Sequence, residues 1–322
     1  MRMATKILLI IAASLVALGL ICVAVGFAAL RFDFKGIFGA NYEAVTHEVS
    51  EDFDSISINT DTADVIILKS EDDICKVVCN EQKNLNHSVR VESGVLCVEI
   101  VDTRAWYDHI SLFSIGEESI TVYLPKTEYN ALSIEESTGD INIAKDFSFK
   151  SIETELSTGD VQCYASAQEF IRINASTGDV LLSAVDAGEI EISTSTGDID
   201  VVSVECAGDI KISVSTGDVE LSDVNCKNLT SNGDTGEISM NGVVATENLS
   251  VERSTGDVEF NRCDAAEIVI VTDTGDVNGS LLSEKVFIVS SDTGRVNVPE
   301  GLSGGKCKIT TDTGDISISL VD

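Results

Sequence analysis

Ten glycines fall at a nearly fixed interval along this chain: Gly139, Gly159, Gly178, Gly197, Gly217, Gly236, Gly256, Gly275, Gly294 and Gly314. Successive spacings are 19 or 20 residues throughout, and each glycine closes a Ser-Thr-Gly-Asp turn or a close relative of it. A fixed period near 20 marks a stacked-repeat architecture, in which each unit buries its apolar face only against its neighbours. The recurrence also decides how the motif is read. A hydroxyl pair, a glycine and a carboxylate would suit a catalytic loop, but ten copies point to a structural corner.

Each unit can be numbered from its glycine. Position −1 is threonine in all ten copies, and position +2 is always β-branched, from Ile141, Val161 and Val180 through to Val296 and Ile316. Position +4 is apolar except at Gly279. Before the turn, position −7 is apolar throughout, and position −5 is apolar except at Thr154 and Ser231. Alternation with period 2 on both sides of a glycine turn means two short strands per unit, each with one buried face. No 3.6-residue period survives, so helix is excluded. The expected fold is all-β, a parallel β-solenoid of 19–20 residues per coil, with coils stacked about 4.8 Å apart. Glycine supplies positive φ at the corner, and the neighbouring Asp and Ser or Thr side chains bond backbone groups that the turn leaves unpaired.

A degenerate copy precedes the regular ones. In "SISINTDTADVIIL", with Ala63 in the glycine place, Ile56, Ile58, Val65 and Ile67 take positions −7, −5, +2 and +4. The solenoid is therefore expected to begin near residue 52. The register is lost between Leu68 and Asn130, where "SVRVESGVLCVEI" reads as a hairpin and "SLFSIGEESITVYLP" as a loop returning into a strand. That stretch predicts a loop leaving one coil, or an irregular N-terminal cap. The end, "DISISLVD", stops directly after the last strand and predicts a raw edge there, open to self-association.

Residues 7–30 carry no charge. Twenty-four helical residues reach about 36 Å, against a hydrocarbon core of about 30 Å. This predicts an uncleaved transmembrane signal anchor, with Arg2 and Lys6 favouring a cytoplasmic segment at 1–6. A linker and the start of the ectodomain follow at 31–50, then an irregular solenoid part at 51–131 and regular repeats at 132–322. Beyond residue 35 the chain has 17 basic and 53 acidic side chains, a formal −36. Such a surface lacks the basic footprint that a nucleic-acid or anionic-lipid binder needs.

The acidic +1 column invites a metal reading. Asp140, Asp160, Asp179, Asp198, Asp218, Asp257, Asp276 and Asp315 (with Glu237 among them) could line calcium ions, although calcium β-rolls use a shorter repeat with more aspartates. Structural corners are the preferred reading, with Arg295 expected between Asp276 and Asp315, relieving the ladder. Asp234, Asp273, Asp292 and Asp312 make Asp-Thr-Gly triplets, the motif of aspartic proteases. Serine and aspartate exchange freely in that column, so no single pair is set apart for proton sharing. Cys163 and Cys307 fall in inward columns, and Cys263 takes the +7 corner place held elsewhere by Val185, Val204 and Val224, so all three read as small buried hydrophobes. Cys206 and Cys226 share position +9 on adjacent coils, where a vertical disulfide is geometrically conceivable. For Cys75, Cys79 and Cys97 a hairpin disulfide is favoured over a metal site, since residues four apart on a strand lie about 13 Å apart. His47, His87 and His109 show no ligand or triad spacing, and no motif calls for a cofactor. Trp106 and Tyr107 are the densest aromatic patch and read as a loop's own small core.

Residues 119–143, "SITVYLPKTEYNALSIEESTGDINI", followed by serial "STGDV" and "STGDI" corners, resemble the bacterial putative-adhesin family, a β-strand-repeat domain of otherwise unknown function. The resemblance spans residues 50–322. It implies a membrane-attached, surface-exposed β-solenoid without catalytic residues, and a link to envelope-stress signalling in some relatives. The expected function is a non-catalytic binding or adhesion scaffold at the cell surface, meeting a surface ligand or protein partner. A regulatory or sensing module is the alternative, and a calcium-stabilised repeat the third reading.

Overall fold

The computed structural model describes residues 42–82, 85–102, 118–301 and 303–321, together with Gly19. The expected membrane helix (apart from Gly19), Trp106, Tyr107 and His109 lie outside these residues. Among the described residues no helix is long and apolar enough to cross a membrane. From Tyr42 onward every described element is a β-strand, and the strands belong to one unit, Glu43–Thr103 with Glu117–Asp322.

The coils stack in parallel, column on column. Ile152 pairs with Leu132 on one side and Ile171 on the other, and Val161 sits in the same way between Ile141 and Val180. The inward columns form one continuous core: Ile171, Ile190, Ile210, Val180, Ile199 and Val219 are each at most 1% exposed. Alternation puts one face of every strand inside, and in-register stacking places like side chains against like. The degenerate copy is a true coil, with Ile56, Ile58, Val65 and Ile67 fully buried and Ser55–Asn59 and Ala63–Lys69 in register with the Gly139 coil. Thr154 and Ser231, the two polar departures at −5, also point inward at 0% exposure.

At the corners the glycine requirement is set by stacking as well as by backbone angle. Eight of the ten corner glycines have φ between +133° and +157°, and Gly275 and Gly294 do not. From Gly159 onward, a Cβ at any of them would lie 1.9–2.0 Å from the carbonyl oxygen of the glycine in the adjacent coil. A second corner lies six residues after the glycine. Ala184, Ser203, Asp223, Gly242 and Arg262, on consecutive coils, all have φ between +53° and +66°. Only one of these is glycine, so the sequence pattern does not mark this bend.

The two ends depart from chain order. At the C-terminal end the Gly275 coil pairs with Gly305–Thr313 and Ile316–Leu320, the last coil in sequence. The preceding coil, Lys285–Thr293 with Val296–Asn297, packs on the far side of that one. The raw edge is thus mainly the Gly294 coil, and the final strand expected to form it pairs with the Gly275 coil along its length and with Val296–Asn297 at Ile316 and Ser317. The returning segment is glycine-rich because it passes against backbone: a Cβ at Gly301, Gly304 or Gly305 would fall 1.8–1.9 Å from the carbonyl oxygens of Lys285, Glu284 or Ala266. The N-terminal end repeats the device. The Ala63 coil lies between the Gly139 coil and an outer coil made of Val95–Asp102 and Glu118–Leu124. The 68–130 region therefore contributes a coil and a cap. Leu85–Glu92 pairs antiparallel with Val95–Asp102 through a Ser93–Gly94 turn, the expected hairpin. Cys75–Gln82 pairs antiparallel with Glu118–Leu124, and Tyr42–Val49, in the segment read as linker, pairs with Cys75–Gln82.

Candidate functional site

The corner carboxylates have a structural task. Asp140 Oδ1 accepts the amide of Asp160 at 2.9 Å, Asp160 Oδ1 that of Asp179, Asp179 Oδ1 that of Asp198, and so on along the stack. Each carboxylate therefore caps a peptide N–H of the next coil, which offsets the repulsion between neighbouring charges. Glu237 donates its amide to Asp218, but its longer side chain does not cap the amide of Asp257. Arg295 lies at the end of the ladder and not between Asp276 and Asp315, because its coil is the outermost. Asp315 caps onto Asp276, while Arg295 donates to Asp315 through its amide at 2.8 Å and its guanidinium at 2.6 Å. The four Asp-Thr-Gly aspartates are all exposed along one outer column.

Column −3 turns inward, and there two ionisable side chains are buried. Glu136 is 6% exposed; its Oε1 accepts the amide of Ala63 at 3.0 Å, and burial pushes its pKa up to about 8. Arg253 is 1% exposed and donates to Ser231 Oγ at 3.2 Å, while its Nε and Nη1 have no partner in the fold. Gly233 makes the room, since a Cβ there would lie 1.7 Å from Arg253 Nη1. Ser231, a departure legible in the sequence, is thus one part of a three-residue exchange of apolar packing for a guanidinium.

Among the described residues, two places stand apart from the regular corners and columns. One is the open Gly294 coil. Its inward residues Phe287, Val289 and Val298 are only half-buried, and Val296, at a position buried in the other nine copies, is 45% exposed. On its outer face Val286 and Ile288 are 37% and 54% exposed. They pair with Lys306 and Lys308 of the coil beneath, both exposed. This puts apolar side chains and two lysines side by side at an end that also exposes Glu284, Asp292 and Glu300, with Arg295 paired to Asp315.

The other place is the N-terminal cap. His47 on Tyr42–Val49 and Cys79 and Glu81 on Cys75–Gln82 each bring a ligating atom within 4.8 Å of the others. Cys79 is fully buried, Glu81 is 6% exposed, and His47 Nε2 is a buried atom with no hydrogen-bond partner. His87 holds Glu81: its amide donates to Glu81 Oε1 at 2.5 Å, its Nδ1 lies 3.3 Å from the same oxygen, and its Nε2 lies 3.4 Å from Thr60 Oγ1. Burial, reinforced by Glu81, pushes the Cys79 thiol up to about 12, and burial lowers the His87 pKa against the pull of Glu81. Spacing alone separates Cys75 from Cys79 and puts no histidine at ligand distance along the chain. The juxtaposition joins Cys79 to Glu81, two residues along on the same strand face, and to a histidine on another strand.

The described cysteines are all unbridged, so neither the hairpin disulfide nor the vertical one is present. Cys206 directs its S–H at the carbonyls of Gly188 and Asp209. Cys163, Cys226 and Cys307 are pushed up to about 12 by burial, the behaviour of unreactive core thiols.

The chain is similar to several solved structures. These include a putative lipid binding protein from Parabacteroides distasonis (19% identity, 88% of this chain and 98% of that one, TM-score 0.48). A putative adhesin from Parabacteroides merdae shares 13% identity over 88% and 98% of the two chains (TM-score 0.42). A putative cell adhesion protein from Clostridium sporogenes shares 13% over 87% and 100% (TM-score 0.27). No curated protein matches the chain. Residues 53–213 and 207–322 both match the family described as Toastrack DUF4097.

Proposed function

The chain belongs to the Toastrack DUF4097 family, and from that premise we propose that it is a non-catalytic binding and adhesion scaffold. In this reading residues 7–30 anchor it in the cell membrane, and the solenoid stands outside the cytoplasm. The observation that carries the reading is the division of labour along the stack. The repeated carboxylates and glycines serve the corners, while among the described residues the open Gly294 coil has strand partners on one side only and leaves Val286, Ile288 and Val296 exposed. An edge of that kind recruits an extended segment as an added strand. The occupant that fits is a partner-protein strand with alternating apolar residues facing Val286 and Ile288, and a carboxylate placed to meet Lys306 or Lys308 beside them.

An epitope placed after Asp322 is expected to bind antibody on intact cells as well as after lysis. Signal confined to lysed cells would overturn the outward orientation and favour the sensing role. At the edge itself, Ile288→Lys is expected to lower adhesion of cells displaying the full chain at least tenfold without changing thermal unfolding. Unchanged adhesion would remove the terminal coil as the binding edge.

A further inference from the structure

We propose that His47, Cys79 and Glu81 form a divalent transition-metal site in the N-terminal cap, with zinc as the fitting ion. The donors are an imidazole nitrogen, a sulfur and a carboxylate oxygen, all within 4.8 Å of one another. Zinc takes this mixture at about 2.0–2.3 Å per ligand, whereas calcium and magnesium select oxygen donors and reject a thiol.

Three features separate the cluster from a chance meeting of polar groups. His47 Nε2 is buried and has no hydrogen-bond partner, although an imidazole nitrogen left bare inside a protein is costly unless a ligand meets it. The charges also balance. A Cys79 thiolate and the Glu81 carboxylate together neutralise a dication, so the loaded site buries no net charge; the Cys79 proton leaves to solvent as the metal–sulfur bond forms. Finally, Glu81 is already oriented, because the His87 amide and Nδ1 both approach its Oε1. An outer-sphere partner of this sort is what a metal-binding carboxylate ordinarily has.

Three protein ligands leave a fourth position on a tetrahedral ion for water or another donor. The site joins Tyr42–Val49, the first described strand, to Cys75–Gln82, and through His87 to the hairpin that closes the stack. Its effect is to pin the cap where the chain enters the solenoid. The inference does not depend on the adhesion reading and survives if that reading fails.

The test uses the purified full chain, stripped with a chelator and titrated with Co²⁺ and then Zn²⁺. Cobalt is expected to give tetrahedral ligand-field bands and a near-ultraviolet thiolate-to-cobalt charge-transfer band, displaced by zinc. Cys79→Ser should abolish the charge-transfer band while keeping the strand signature in circular dichroism. Cys97→Ser, at a half-buried thiol outside the cluster, should keep the band. His47→Gln should weaken zinc binding at least tenfold and remove the zinc-dependent rise in Tm. Absence of the band in folded wild type, its persistence in Cys79→Ser, or equal stabilisation by Ca²⁺ would overturn the site. If Cys79→Ser does not fold, His47→Gln decides: weakened zinc binding supports the site and unchanged binding overturns it.

Discussion

Single side chains in this solenoid are constrained from above and below as much as by their own turn. Gly197→Ala would set a methyl 2.0 Å from the Gly178 carbonyl oxygen at φ +138°. Strain and overpacking together predict a loss of about 2–5 kcal/mol, read as a fall in Tm or denaturant midpoint. Glu136 makes a pH-dependent contribution whose sign follows from its burial. Its folded pKa of about 8 stands above the ordinary 4.5, so the folded state keeps a proton that the unfolded chain releases. The Glu136 contribution to stability is therefore full below about pH 4.5 and is lost as pH rises through about 8. Glu136→Gln should flatten that dependence and be more stable than wild type at pH 8, checked by Tm against pH. Arg253→Leu copies the leucine found at the same column in Leu156 and removes unpartnered buried donors. It is expected to stabilise by on the order of 1–3 kcal/mol in chemical denaturation.

At the scale of the strand, the alternation makes a sharp distinction between adjacent residues. Ile190 is 1% exposed, whereas Glu191 is exposed and meets Arg172 at 3.1 Å. Ile190→Asp is expected to cost at least about 4 kcal/mol, by loss of packing and burial of an unpaired carboxylate. Glu191→Lys loses one exposed ion pair and should cost at most about 1 kcal/mol. Equal tolerance in parallel denaturation curves would refute the register. The strands and first corner were legible in the sequence because alternation and the glycine turn are local signals. The second corner was not, since a left-handed residue such as Ala184 or Arg262 leaves no mark in composition.

For the whole molecule, the order of coils at the ends matters more than their number. A chain ending at Gly301 lacks Gly305–Thr313 and Ile316–Leu320, the coil that lies between the Gly275 and Gly294 coils. Such a truncation is expected to release the Gly294 coil as well, because its pairing partner is gone. Hydrogen exchange should then show lost protection across Lys285–Thr293. If that strand stays protected by moving onto the Gly275 coil, stacking would be interchangeable and the observed order not required.

The amino-acid sequence by itself determined the period, the inward columns, the glycine corner and the start of the solenoid near residue 52. All of these follow from alternation and from contacts with the next like unit. The tertiary structure alone decided which coil is outermost, because neighbouring coils present nearly identical columns and a strand finds similar partners in either slot. It also decided the roles of residues whose partners are distant in sequence. Arg253 needs the space left by Gly233 one coil away, and His47 meets Cys79 and Glu81 only once the cap has folded back across the first coils. Such meetings depend on three-dimensional return of the chain, which no local pattern records.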